Sequence, residues 1–263
     1  MSGEHLRLER IAMRARPSFE TIELDGWILR FAEGYTKRVN SVNPHFGSTL
    51  PVLRKIETCE EAFRSRRLPT IFRLTPFSQP ADLDELLSVR GYERLDPSLV
   101  LICELPLRRP IVRLDVRCAT MQEWLGAFDR IRALDPADRS FHHRIVASTA
   151  GKPFFAVIDR HDGPIACGLG VSNGDAVGLF DLCVVEAERR RSHGTAIVGA
   201  ILACAAEAGA RTAYLQVHSL NAQALALYRR LGFETAYPYW YRVAPSDDLL
   251  EGGTLGRDEG RFD

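Results

Sequence analysis

The chain has 263 residues, of which 34 are Lys or Arg, 34 are Asp or Glu and 46% are hydrophobic. This length suffices for one large domain or two modest ones, each able to bury a hydrophobic core. The balanced charge gives no electrostatic case for a nucleic-acid or anionic-membrane partner, and the ordinary hydrophobic fraction excludes global disorder.

The N-terminal residues and the cysteines predict a cytoplasmic protein that holds no metal ion. The first ten residues are charged and lack the apolar stretch of a signal peptide. The longest apolar run, residues 197–206, is shorter than the about 20 residues that cross a bilayer. The six cysteines are scattered without a Cys-x-x-Cys pair, which argues against a zinc site and, without a signal peptide, against structural disulfides.

Residues 1–110 have the pattern of a small α/β domain. Pro51 suits the first turn of a helix over 51–63, and Gly91 suits the end of a helix over 82–89. Pro106 and Pro110 favour a linker after these elements. Strands are predicted where apolar and β-branched residues cluster, at 27–31, 38–42, 70–74 and 98–105.

Residues 111–245 begin a second series of strands and helices. The turn pairs Asp162-Gly163 and Asn173-Gly174 separate three strands that are predicted at 154–158, 165–171 and 177–185. The Gly- and acid-rich residues 246–263 are predicted to be a flexible tail. The other predicted strands lie at 111–116, 212–218 and 235–243, and the predicted helices at 121–134, 144–148, 194–208 and 222–231.

The two parts share a weak repeat. Residues 86–106 and 227–245 both have the pattern of a short helix, a glycine followed by an aromatic residue, and an apolar strand that ends at proline. Because the repeat falls at the same place in the element order of each part, it favours two copies of one fold, in 1–110 and 111–245. A chance similarity is the alternative.

Residues 181–205 form a strand, a basic turn and a helix, and have the composition of a phosphate site. Arg189, Arg190 and Arg191 supply positive charge, and the small residues at 192 and 194–196 let a phosphate approach the backbone. The first turn of the helix adds unpaired N–H groups and the positive end of the helix dipole. The segment lacks the motifs of a P-loop and of a dinucleotide fold. A solvated arginine run at a helix start is the alternative interpretation.

Two segments resemble the GCN5-related N-acetyltransferases (GNAT). Leu182-Cys183-Val184, followed by residues 189–194, is similar to the family's Leu-x-Val strand and Arg/Gln-x-x-Gly-x-Gly/Ala loop, with Ser192 in place of the first glycine. Residues 221–233 match the family's Asn-x-x-Ala-x-x-Leu-Tyr-x-x-x-Gly-Phe signature at every position. If the Ser192 position needs a positive φ, the serine costs strain; if it does not, the hydroxyl can cap the helix or bind phosphate.

The resemblance implies both the fold and the coenzyme. The expected fold is α/β, with a mixed, mostly antiparallel twisted sheet flanked by helices. It comprises two GNAT-like halves, of which the first is degenerate and holds no coenzyme. The second half, 111–245, is then an acetyltransferase domain that uses acetyl-CoA. The implied coenzyme-binding residues are Leu182, Cys183, Val184, Arg189, Arg190, Arg191, Ser192, His193, Gly194, Thr195, Ala196, Asn221 and Tyr228.

Two side chains in the matched region are candidates for proton transfer. Tyr228 is the candidate general acid, because a departing thiolate of pKa about 8.5 can accept a hydrogen bond or a proton from a phenol of pKa about 10. An alkyl amine of pKa about 10.4 must lose a proton before it attacks, and Asp181 is the candidate base through a water molecule. The alternatives are His218 as base, His142 or His143 as contacts of the acceptor, and Asp181 as a carboxylate held by its neighbours.

Three functions follow from this reasoning. The preferred one is transfer of acetyl from acetyl-CoA to a primary amine of a small molecule or amino acid, by direct attack in a ternary complex. A non-catalytic acyl-CoA-binding regulatory module is the alternative. An aminoacyl-tRNA-dependent transferase is disfavoured by the neutral charge. Cys183 is predicted to be a small buried residue and not a nucleophile, because no His-Asp pair is spaced to activate it. The sequence leaves a homodimer open.

Overall fold

The computed structural model describes residues 2–47, 49–107 and 115–245, which divide into two compact units. Within these residues the first unit contains 2–7, Ser18–Leu99 and 237–245, and the second contains Leu8–Pro17 and Val100–Ala236. Each unit is therefore assembled from separated stretches of chain. The origin of 1–110 and 111–245 as two copies of one fold stays a prediction. Most of the predicted strand over 111–116, and the predicted tail over 246–263, lie outside the described residues.

The elements follow one another from residue 2 to residue 243. The helices are α1 (Ser2–Ala15), α2 (Val52–Arg64), α3 (Leu83–Val89), α4 (Met121–Arg132), α5 (Pro136–Ala147), α6 (His193–Glu207) and α7 (Ala222–Arg230). The strands are β1 (Glu20–Leu24), β2 (Trp27–Phe31), β3 (Val42–Asn43), β4 (Ile71–Leu74), β5 (Glu93–Glu104), β6 (Arg117–Cys118), β7 (Lys152–Arg160), β8 (Gly163–Asn173), β9 (Ala176–Val184), β10 (Thr212–His218) and β11 (Glu234–Val243).

Strand pairing is mixed and mostly antiparallel. β3 pairs with β4, and β9 with β10, in parallel. The pairs β1–β2, β2–β3, β4–β11, β6–β7, β7–β8 and β8–β9 are antiparallel. The predicted fold class, a mixed α/β arrangement with helices flanking a large sheet, is confirmed.

In the first unit the strands follow the order β1-β2-β3-β4-β11. Gly91, at φ +83°, follows α3, so the predicted helix end is confirmed. The segment predicted as a strand over 38–42 forms instead a 3-10 turn and the short strand β3. The reason is that Asn40 Oδ1 accepts hydrogen bonds from the backbone N–H groups of Ala32 (2.7 Å) and Gly34 (3.0 Å), in place of a strand ladder. The apolar core includes the large side chains of Trp27, Phe31, Phe63, Phe72 and Tyr92, together with Ile56 and Leu87.

In the second unit the strands follow the order β10-β9-β8-β7-β6, and α4 and α6 pack against the β7–β8–β9 meander. A glycine on β8 permits the approach of α6, since a Cβ built on Gly168 would lie only 2.6 Å from Ile197 Cγ2. The last turn of α1 is attached here, because the backbone N–H of Ala150 donates to the carbonyl of Arg14 at 3.2 Å. Residues 8–17 thus belong structurally with the motifs found far along the chain.

Candidate active site

A bulge in β9 changes the course of the strand that carries the Leu-Cys-Val motif. On β8 two steps separate Cys167 from Leu169, whereas on β9 three steps separate their partners Cys183 and Phe180. The backbone of β9 adopts a left-handed conformation at Asp181, where φ is +52°. A bulge of this kind bends the strand and increases its twist.

The strands β9 and β10 part next to the bulge. Their parallel register joins residues 176–179 to 212–215 and stops there, although β9 continues to Val184 and β10 to His218. In this described part of the chain, residues 182–184 therefore have no register partner on β10. Backbone N–H and C=O groups need hydrogen-bond partners, so the gap suits an extended ligand with amide groups that pairs like an added strand.

The turn between β9 and α6 contains two residues at positive φ, Arg190 at +62° and Ser192 at +65°. Ser192 immediately precedes α6, and its side chain makes no capping hydrogen bond. Of the alternatives that the sequence left for this residue, the structure therefore supports strain and gives no sign of a cap. The side chains from Arg189 to Ser192 are exposed, whereas His193 and Gly194 at the start of α6 are buried.

Ser192→Gly is expected to stabilise the protein by about 1 kcal/mol. A left-handed conformation costs a non-glycine residue about 1–2 kcal/mol, and the greater freedom of glycine in the unfolded chain removes part of this gain. Thermal unfolding measures the change. Ser148→Gly is the matched control, because Ser148 ends α5 at φ −89° and carries no such strain. Equal destabilisation by the two substitutions would contradict the strain argument.

The motif strand, the start of α6 and helix α7 meet at Gly194. A Cβ built on Gly194 would lie 3.1 Å from Leu227 Cδ1 and 3.9 Å from both Leu182 Cδ2 and Val184 Cγ2. The glycine therefore lets α7 and β9 approach the first turn of α6. The structure thus brings the two family-like segments together, although 33 residues separate Gly194 from Leu227 in the sequence.

Helix α7 is fixed at both ends by residues of the second motif. Asn221 Oδ1 accepts the backbone N–H of Ala224 at 2.9 Å, so the predicted N-cap is confirmed. At the other end Gly232 adopts φ +89°, and the N–H of Phe233 donates to the carbonyl of Tyr228 at 3.0 Å. The ring of Phe233 packs edge-on against that of Tyr228, with 5.7 Å between centroids. The Gly-Phe pair therefore fixes the position of Tyr228.

Tyr228 is a buried phenol. Burial raises the pKa of Tyr228 above its ordinary value, because the phenolate would lose its hydration in this environment. The hydroxyl therefore stays protonated throughout the neutral range and into alkaline solution. In that state it can donate a hydrogen bond to a developing anion.

Asp181 is held by two neighbouring side chains. Arg16 donates from Nη1 to Oδ2 at 2.7 Å and from Nη2 to Oδ1 at 3.2 Å, and His142 Nε2 donates to Oδ2 at 3.2 Å. The side chains of Arg16 and Asp181 are 8% and 6% exposed, so the pair is largely shielded from water. Each carboxylate oxygen already accepts a hydrogen bond. This arrangement favours the alternative in which Asp181 is held by its neighbours over its role as a base.

The other candidate histidines also have partners. His142 is fully buried against Asp181, and His143 Nε2 lies 2.9 Å from Asp129 Oδ2. His218 Nδ1 accepts the backbone N–H of Leu220 at 3.2 Å. A neutral His218 ring therefore carries its proton on Nε2, and its acceptor nitrogen is engaged.

The carboxylate of Glu188 and the thiol of Cys183, next to the motif, also have partners. Glu188 Oε1 lies 3.2 Å from Arg191 Nη1, and Glu188 Oε2 lies 3.1 Å from His193 Nε2, so one carboxylate balances part of the basic turn. Cys183 is buried, as predicted, with its Sγ 3.2 Å from Cys167 Sγ on β8. Within residues 2–47, 49–107 and 115–245, no group of three or more His, Cys, Asp or Glu side chains is arranged to hold a metal ion.

Three residues of this region escape sequence reasoning. Arg16 reaches Asp181 across 165 residues of sequence. Gly168 lies opposite the bulge, and its carbonyl accepts the indole N–H of Trp124 at 3.0 Å. Only the glycine-rich pattern of β8 gives a local signal, since glycine inside a strand often marks a bulge or a close approach.

Comparison with known proteins agrees with the fold. A family model described as "Probable histone acetyltransferase Rv0428c C-terminal" matches residues 4–242. The chain is 26% identical over 244 residues to the uncharacterized N-acetyltransferase YobR of Bacillus subtilis (strain 168), covering 90% of this chain and 97% of that protein. Helices of the described residues include none that is long and apolar enough to cross a membrane.

Solved structures share the architecture at low identity. A GCN5-related N-acetyltransferase from Kribbella flavida superposes with a TM-score of 0.69 at 18% identity, over 91% of this chain and 95% of the other. A second, from Sphaerobacter thermophilus, has a TM-score of 0.59 at 16% identity, over 83% and 76% of the two chains. At these identities the likeness concerns the fold.

Proposed function

The chain belongs to the Rv0428c C-terminal family of GCN5-related N-acetyltransferases, and from this premise we propose that it transfers acetyl from acetyl-CoA to a primary amine of a small molecule or amino acid. The amine attacks the thioester directly in a ternary complex. The observation that carries the proposal is the open backbone of residues 182–184, which lies beside the first turn of α6.

Pantetheine is the ligand that suits the gap between β9 and β10. It is extended and contains amide groups, so it can pair with the backbone of Leu182, Cys183 and Val184 as a short added strand. An N–H of this segment is then positioned to polarise the thioester carbonyl, where donors stabilise developing negative charge. Asn221, whose side chain already caps α7, is proposed to contact the same arm.

The diphosphate of the coenzyme is proposed to bind at the turn and first helical residues, 189–196. Backbone N–H groups at the start of α6 and the exposed guanidinium groups of Arg189, Arg190 and Arg191 attract phosphate. The phosphate is proposed to come close to the backbone at five of these residues, Ser192, His193, Gly194, Thr195 and Ala196. A metal ion has no part in this proposal.

Tyr228 is proposed to stabilise the departing thiolate. Its raised pKa makes full proton transfer to a thiolate in water unfavourable, but burial raises the pKa of a thiol as well. Within this protein, burial raises the pKa of the Cys59 thiol to about 12. A thiolate that leaves inside the site is therefore also a stronger base, and the phenol can donate to it.

A small amine is the proposed acceptor because three carboxylates of this region are already paired with arginine side chains. Asp181 is paired with Arg16, Glu188 with Arg191, and Asp129 with Arg139. A lysine-rich protein tail would need unpaired acidic groups to compensate its charge. The attacking amine is then proposed to release its proton through solvent.

Acetyl-CoA is expected to bind with a dissociation constant between about 1 μM and 1 mM, the usual range for enzyme substrates. Arg189→Ala should weaken binding about tenfold, since a hydrogen bond to a charged group contributes about 1.5–3 kcal/mol. Arg160→Ala, which removes an exposed arginine at the end of β7, is the charge-matched control and should bind normally. Calorimetry at two salt concentrations measures both. Absence of binding at millimolar acetyl-CoA by folded protein would refute the coenzyme proposal.

Turnover distinguishes the enzyme from a binding module. Thiol release is followed with amino acids, aliphatic amines, amino sugars and a lysine-rich peptide. Release with a small amine supports the proposal, and release with the peptide alone overturns the small-acceptor part of it. Tight binding of acetyl-CoA without release on any amine would favour the regulatory module.

A further inference from the structure

We infer that Arg16, at the end of the N-terminal helix, is a positioning residue for acetyl transfer: through Asp181 it holds the β9 bulge in the shape that presents residues 182–184 to the coenzyme. The inference rests on the proposed function for the identity of the ligand. The bulge itself, and its attachment to Arg16, are features of the second unit alone.

The bulge contains strain that its surroundings must hold. Asp181 has a φ of +52°, in a region that costs most residues with a side chain about 1–2 kcal/mol and an aspartate less. Such conformations persist where neighbouring contacts over-determine them. The bidentate contact with Arg16, at 2.7 and 3.2 Å, orients the carboxylate plane, and so it restrains the backbone that carries it.

Three further contacts restrain the same place. His142, fully buried and stacked on Phe128 with 4.2 Å between ring centroids, donates to Oδ2 of the carboxylate, the oxygen that Arg16 Nη1 also contacts. On β8 the carbonyl of Gly168 accepts the indole N–H of Trp124. The guanidinium of Arg16 also lies over the ring of Phe180, 5.7 Å from its centroid, next to Asp181 in sequence. The bulge is therefore held on both strands, and Arg16 is its charged contact from the N-terminal helix.

Holding the bulge matters for coenzyme binding because the register with β10 ends directly before it. If Asp181 relaxes to an ordinary strand conformation, every following residue changes the side to which its N–H and C=O point. Leu182, Cys183 and Val184 would then present different groups to the gap. Arg16 thus acts on the coenzyme through Asp181 without touching it.

Arg16→Ala is expected to weaken acetyl-CoA binding about 10- to 100-fold, the loss typical of a site displaced by about 1 Å. Hydrogen exchange of the peptide that covers residues 180–184 should rise, while peptides of β7 stay protected. Arg16→Lys keeps the charge but only one donor direction and should fall between wild type and Arg16→Ala. Arg14→Ala, an exposed arginine of the same helix turn, is the control and should match the wild type in both measurements.

Removing one partner of a buried ion pair can unfold a protein, so a second variant is included. Arg16→Met with Asp181→Asn leaves no unpaired charge, and asparagine tolerates a left-handed conformation. This double variant should stay folded, show faster exchange at 180–184 and bind the coenzyme more weakly. Unchanged exchange at 180–184 in the folded variants overturns the inference, whatever the coenzyme does. Failure of the wild-type protein to bind acetyl-CoA, with exchange altered as expected in the variants, refutes acetyl-CoA as the ligand but not the role of Arg16 in holding the bulge.

Discussion

Tyr228→Phe is expected to lower kcat by about 100- to 1,000-fold, within the range that general acid catalysis supplies. The phenol donates to the sulfur only when negative charge develops there, so its loss affects the transition state more than the bound thioester. Acetyl-CoA affinity should therefore change by less than about twofold. Burial of the ring, its contact with Phe233 and the closed end of α7 do not involve the hydroxyl, so the variant should fold normally.

The pH dependence provides a second measurement of Tyr228. On the acid side, kcat/KM should rise about tenfold per pH unit, because the neutral fraction of an amine with pKa about 10 rises in that way. On the alkaline side the wild-type rate should hold beyond the ordinary range of a tyrosine, since the raised pKa keeps the phenol protonated. Tyr228→Phe should keep the acid limb, and any decline of the wild-type rate that ionisation of the phenol causes at still higher pH should be absent from the variant.

Tyr92→Phe is the matched control for this experiment. It removes another buried phenol, which donates to Glu60 Oε1 at 2.9 Å in the first unit. We expect a loss of stability and an unchanged kcat. If Tyr228→Phe retains wild-type turnover and pH profile, Tyr228 has no role as an acid, and its place in the family signature is structural.

The elements with long periodic patterns could be predicted from the sequence, and those held by side chains could not. The strands of the β7–β8–β9 meander and helices α6 and α7 lie close to their predicted bounds, since each has a clear apolar period and a turn residue at its end. Helix α1 buries the apolar residues Leu8, Ala12 and Ala15 and the charged Glu9, so its apolar pattern is too weak to be recognised.

The residues of the candidate site also differ in whether a local sequence pattern indicates them. The motifs indicate the proposed coenzyme segment and Tyr228 because both lie in continuous stretches of sequence. The sequence raises the question whether Ser192 has a positive φ but does not answer it, because the turn between β9 and α6 sets that angle. Asp181 received a catalytic interpretation because its partner Arg16 lies in a distant helix, and no local pattern indicates an ion pair between them.

Gly168→Ala is expected to destabilise the protein by about 1–3 kcal/mol, the usual effect of adding a methyl group to a packed interior. The new Cβ would lie 2.6 Å from Ile197 Cγ2 and 3.4 Å from Leu182 Cδ1, so either α6 or residues 182–184 must move. Because Gly168 lies opposite the bulge, we also expect weaker acetyl-CoA binding. Urea unfolding and calorimetry measure the two effects.

Truncating Ile197, the side chain that the new methyl group contacts, tests whether packing causes the loss of stability in Gly168→Ala. Ile197→Ala alone should cost about 2–5 kcal/mol, since it leaves a cavity beside β8. The methyl group of Gly168→Ala occupies part of that cavity, so the double variant should be more stable than the sum of the single effects by about 0.5–3 kcal/mol. Gly126→Ala, on the exposed face of α4 with nothing within 4 Å of the added Cβ, should instead stabilise the protein. If the effects of Gly168→Ala and Ile197→Ala are strictly additive, the packing argument is wrong. Gly168 would then be needed for its backbone conformation and not to make room for α6.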